Sequence, residues 1–141
     1  MLREILKFVS MQVAAIVALV SVAGSVELSP KYLDGVWTLE SKENCGLNEF
    51  EHITFRANGT LEGSRFGVVD SVGFWRQSGD LLRAHLVTSP AHFDENLKEF
   101  RGYFDYFPIK MMAFDLTPDS FGAVGTIGDQ MRKVTLFRCG Q

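Results

Sequence analysis

The chain has 141 residues, 46% of them hydrophobic and 22% charged, with 13 Gly, 4 Pro and 2 Cys. That composition fits one globular domain and excludes a disordered tail or a dense disulfide scaffold. Lys and Arg number 14 against 17 Asp and Glu, a net charge of -3, so the overall balance offers no basic surface for the phosphate-driven part of nucleic-acid binding.

Arg3 and Lys7 precede an uncharged run from Phe8 to Gly24, the pattern of a secretory signal. Small residues at Ser21 and Ala23 place the expected cut after Ala23. The chain then divides into a signal peptide over 1–23 and a mature domain over 24–141. An uncleaved anchor is the alternative, but the run stands at the short end of what spans a hydrocarbon layer of roughly 30 Å. No membrane span is expected after cleavage. Export puts Cys45 and Cys139 in an oxidising compartment, periplasmic or extracellular, where two cysteines most simply form one structural bridge.

Val36 to Ser41, opened by Trp37, and His52 to Ala57 read as strands. Asn58-Gly59 marks a tight hairpin, and the same stretch spells a glycosylation sequon. A two-residue turn would pair Phe55 with Glu62. A three-residue loop with Gly59 left-handed pairs Phe55 with Leu61, and burial prefers that register. Val68 to Gln77 and Leu81 to Thr88 form the next pair around Ser78-Gly79-Asp80, with Leu82, Ala84 and Leu86 sharing a face.

Ser89-Pro90 then has the form of an N-cap followed by proline at N1. Phe93, Leu97, Phe100, Phe104 and Phe107 follow at helical spacing, which predicts a helix from about Pro90 to Gly102. After Pro108, strands are expected over Lys110 to Leu116, Phe121 to Ile127 and Lys133 to Arg138. The fold class is mainly β: a small antiparallel β-barrel of seven or eight strands with one short helical insert.

Gly35-Val36-Trp37, Phe55 with Asn58-Gly59-Thr60, Gly73-Phe74-Trp75 before Gly79-Asp80-Leu81, and Arg138 on the last strand together resemble bacterial lipocalin-like (calycin) barrels. The resemblance covers about Leu33 to Gln141. It implies that Trp37 closes one end of the barrel and that Arg138 packs across it, both structural roles. In the simplest even-stranded barrel, that contact leaves Cys45 at the opposite rim from Cys139. Six to eight strand residues span roughly 20 to 26 Å, whereas bridged Cα atoms lie within about 7 Å. Contact and bridge therefore compete unless the loop around Lys42 to Leu47 doubles back. The bridge is the firmer expectation.

No run carries a reaction-specific motif. His52, His85 and His92 lack paired-ligand spacing, and no second Cys lies near either cysteine, so no metal site is expected. The serines lack a nucleophile elbow. Asp70, Asp80, Asp115 and Asp119 read as turn and strand-end residues, and Asp94 and Glu95 beside His92 as helix-dipole partners. Gly122, Gly125 and Gly128 do not stand between a strand and a helix as a phosphate loop requires. No catalytic residue and no cofactor is expected.

The candidate ligand-binding residues are Phe93, Phe100, Tyr103, Phe104, Tyr106 and Met111, an aromatic surplus whose competing role is core packing. Two functions follow. The first is an exported, non-enzymatic barrel that binds an apolar or amphipathic small molecule in an internal cavity. The alternative is a protein-interaction module, such as a hydrolase inhibitor or an envelope assembly factor, with a filled barrel and an exposed apolar patch.

Overall fold

The computed structural model describes residues 25–88, 92–94, 99–101 and 105–140. The expected signal segment and its cut site lie outside them. Ser29 opens α1 (Pro30–Leu33): its Oγ accepts a hydrogen bond from the Tyr32 amide at 3.1 Å, and Pro30 occupies a first-turn position that needs no amide donor. Then come β1 (Gly35–Leu39), a 3-10 turn (Lys42–Gly46), β2 (His52–Phe55), β3 (Thr60–Arg65), β4 (Val68–Ser78) and β5 (Leu81–Thr88). They are followed by β6 (His92–Asp94), β7 (Glu99–Arg101), β8 (Asp105–Phe114), β9 (Ser120–Ile127) and β10 (Gln130–Cys139).

Eight of these strands close a barrel in the order β1-β10-β9-β8-β5-β4-β3-β2, with every neighbour antiparallel. Closure leaves no open sheet edge. The first hairpin takes the three-residue form: Phe55 pairs with Leu61, and Gly59 adopts φ +86°. Leu82, Ala84 and Leu86 face inward as their alternation predicts. β8 begins at Asp105, earlier than Lys110. Pro108 is tolerated there because its carbonyl accepts from the Gly128 amide, so its donor-less nitrogen faces past the end of β9 and breaks no ladder bond.

The helix expected over 90–102 is corrected. Its described residues form a second, two-stranded sheet, in which Phe93 stands opposite Phe100 and Asp94 opposite Glu99. Aromatic residues such as Phe93 and Phe100 favour pleated backbone, which suits the paired strands that these described residues form. A Ser-Pro cap signal does open a helix at Ser29-Pro30, whereas Ser89-Pro90 lies outside the described residues.

α1 plugs the end of the barrel where β1 begins and β10 ends. Trp37, fully buried, pairs in register with Arg138, whose guanidinium lies 4.3 Å over the indole ring. Arg138 also donates to the carbonyls of Tyr32, Asp34 (3.0 Å) and Pro118 (3.2 Å), binding helix, strand and loop into one cap. The Cys45–Cys139 bridge forms as well, with Cα atoms 5.2 Å apart. Contact and bridge coexist because Glu40, at φ 71°, reverses the chain after β1. The 3-10 turn then returns against β1 and β10, where Asn44 Nδ2 donates to the Leu39 carbonyl at 3.0 Å. Cys139 pairs with Val36, on the face opposite Trp37, so the bridge closes outside the barrel.

The Tyr32 hydroxyl donates to the carbonyls of Thr117 (2.7 Å) and Ser120 (3.0 Å). Burial pushes its pKa up from 10.0 to about 12, with Arg138 opposing the rise and Asp119 adding to it. The fold thus favours the neutral phenol. Its contribution to stability is complete below pH 10.0 and is lost as pH rises toward about 12. Alkaline unfolding curves should fall more steeply over that window for the wild type than for Tyr32→Phe; parallel curves would contradict the assignment.

Candidate functional site

An eight-stranded barrel is just wide enough for side chains to fill it. Here the inward positions include Gly63, Ser71, Gly73, Ala84, Ala113 and Ala123, and this economy of side-chain volume leaves a cavity of about 330 Å³. Gly73 is also required by the backbone: a Cβ there would meet the His85 carbonyl oxygen at 1.9 Å. The floor toward the plugged end is formed by Phe55, Leu61, Met111, Phe121 and Leu136, and the wall by aliphatic residues such as Ile53, Ile109 and Val134.

Among the described residues, polar groups line the cavity at the other end only. Glu51 stands one residue before β2 and shares the inward parity of Ile53. Ser71 and Thr88 face each other across β4 and β5, at the point where the chain departs into β6 and β7. Burial pushes the Glu51 carboxyl above its ordinary range; Arg65, with its guanidinium 3.7 Å away, counters this, and Asp70 adds to it. Ser71 Oγ donates to the Asp70 carboxylate at 3.2 Å. Glu51 is the one ionisable side chain among the described lining residues. The cavity can therefore shelter an apolar body and meet a polar terminus at one end.

The six residues expected to bind ligand separate. Met111 lines the cavity, almost fully buried. Tyr106 lies on the outer wall, 59% exposed, stacked on His85 with ring centroids 5.6 Å apart and hydrogen-bonded to its Nδ1. Phe93 and Phe100 occupy facing positions in the β6–β7 hairpin. Tyr103 and Phe104 lie outside the described residues. Glu51, Ser71, Thr88 and Phe107 were missed. The period-two run Phe107, Ile109, Met111, Ala113 would have found Phe107, but its place in the helical-spacing series that starts at Phe93 conceals it. The small inward residues are the other readable trace of a cavity.

Trp75 belongs to the barrel wall, with its Nε1 donating to the carbonyls of Arg56 (3.1 Å) and Thr60 (3.0 Å) beneath the first hairpin. Among the described residues no group of three or more His, Cys, Asp or Glu side chains is placed to hold a metal ion. No described helix is long and apolar enough to cross a membrane. In comparisons with known proteins, no family model, no curated protein and no solved structure matched the chain.

Proposed function

We propose that this is an exported barrel of the lipocalin-like (calycin) kind that binds, without catalysis, a small apolar or amphipathic molecule in its interior. The observation that carries the reading is the cavity of about 330 Å³, whose described lining is apolar along its depth and polar at the end near Glu51, Ser71 and Thr88. Its size is near the lower limit of small-molecule sites, which favours a compact ligand. Among the described residues the lining is mainly aliphatic and aromatic, which supports binding of an apolar body. The Cys45–Cys139 bridge supports an oxidising compartment, periplasmic or extracellular.

Neutral N-phenylnaphthylamine is a suitable probe, because its fluorescence rises on entering an apolar site. The wild type should bind it saturably. Ala84→Phe and Ala123→Leu, both of which put new side-chain volume into the cavity, should weaken binding about tenfold or more. Thermal unfolding of each variant reports separately on the fold. Unchanged affinity in folded variants, or no saturable binding by the wild type, would sink the proposal. Native mass spectrometry of protein recovered from its own host would then identify the occupant.

A further inference from the structure

The net charge of -3 conceals a segregation that only the barrel reveals. Arg76 on β4 pairs in register with Arg83 on β5, which pairs with Lys110 on β8. All three point outward and are exposed. Strands are about 4.8 Å apart, so three cations stand side by side across the wall. Like charges facing each other on a sheet are destabilising. None of the three is in an ion pair: those among the described residues join Arg56 to Glu62 and Arg65 to Glu51, on the β2–β3 side.

Apolar rows flank the cations on both sides. Toward the β6–β7 end, Val72 pairs with Val87, which pairs with Tyr106, and Phe74 pairs with His85. Toward the plugged end, Leu81 pairs with Met112, which pairs with Val124, followed by Lys133 on β10. Phe74 is 69% exposed and Met112 48%. The outward positions of this wall, from Val72 on β4 through β5, β8 and β9, carry no Asp or Glu. Asp80 and Asp129 lie in bordering turns, exposed Asp70 precedes the row at Val72 on β4, Asp94, Glu99 and Asp105 belong to β6, β7 and the start of β8, and Glu40, Glu43, Glu49 and Glu62 lie around the opposite side.

We propose that the outer wall of β4, β5 and β8 docks on an anionic lipid surface, with Arg76, Arg83 and Lys110 on the phosphates and the flanking Phe74, Tyr106 and Met112 in the interfacial layer. Charge complementarity selects the occupant. A soluble polyanion would satisfy the cations but leave both apolar rows in water, whereas an acidic bilayer accommodates both. This inference is independent of whether the cavity binds a ligand.

The test is co-sedimentation of the oxidised protein with vesicles of phosphatidylcholine alone or mixed with phosphatidylglycerol. The wild type should partition onto the mixed vesicles only, and less so as salt rises. The triple change Arg76→Gln, Arg83→Gln, Lys110→Gln should weaken partitioning roughly a hundredfold while leaving the thermal midpoint equal or higher, because it removes repulsion. Phe74→Ser should weaken it as well. Four results would each overturn the proposal: equal binding to both vesicles, undiminished binding by the triple variant, association with soluble heparin without vesicles, or no association at all.

Discussion

Replacing both Cys45 and Cys139 with serine is expected to lower stability by about 4 to 5 kcal/mol, from the chain entropy released when a crosslink across 94 positions is removed. Few single features act on so much of the chain, since the closed loop contains eight of the ten strands, β2 to β9, and nearly all of β10. The bridge also holds the 3-10 turn against β1 and β10, and with it the burial of Thr38, whose hydroxyl donates to the Glu51 carbonyl at 3.1 Å. Against a total of about 5 to 15 kcal/mol for an ordinary domain, the loss is a large fraction. Denaturant unfolding of the oxidised wild type and the double-serine variant measures it. A difference below about 1 kcal/mol would mean that the turn is anchored by its backbone contacts and that the crosslink adds little.

Trp37→Ala is expected to cost about 4 to 6 kcal/mol, combining the loss of a fully buried indole with a carbonyl stripped of its donor. Trp37 Nε1 donates to the Leu33 carbonyl at 2.8 Å, which ties α1 to β1. Its ring centroid is 5.0 Å from that of Phe121 and 5.5 Å from that of Tyr32, and Arg138 covers its face. Truncation thus removes the element on which helix, β9 and the Arg138 clamp all converge. Trp37→Phe keeps most of the packing and should cost about 1 to 2 kcal/mol, chiefly the lost Nε1 hydrogen bond. Unfolding curves of the two variants separate packing from hydrogen bonding. Equal costs would assign the whole effect to the hydrogen bond, and a loss below about 1 kcal/mol for Trp37→Ala would contradict the keystone role.

Much of the barrel was legible because a strand that faces a core on one side repeats every two residues. The alternation of Leu82, Ala84 and Leu86, the Phe55 to Leu61 register and the turns at Gly59 and Gly79 all rest on local rules of backbone and burial. The insert was not legible. Phe93, Phe100 and Phe104 satisfy a helical stripe and also suit paired strands, and what decides for the described residues is the pairing of β6 with β7. The candidate site was less legible still. Met111 was found, whereas Glu51 and Ser71 look like ordinary polar residues until closure brings their strands to one end of the same interior.

By itself, then, the amino-acid sequence determined a mainly β domain, the register of its first hairpin and the partnership of its two cysteines, since each follows from alternation, turn chemistry or count. Three matters were decided only by the tertiary structure. The chain reversal at Glu40 lets the Cys45–Cys139 bridge and the Trp37–Arg138 contact coexist. The meeting of small residues from several strands leaves a cavity where larger ones would have filled it. The lateral order of β4, β5 and β8 sets Arg76, Arg83 and Lys110 in one row, although they are scattered along the chain. All three depend on which strands become neighbours, and closing a barrel fixes that through contacts between residues that local propensity never brings together.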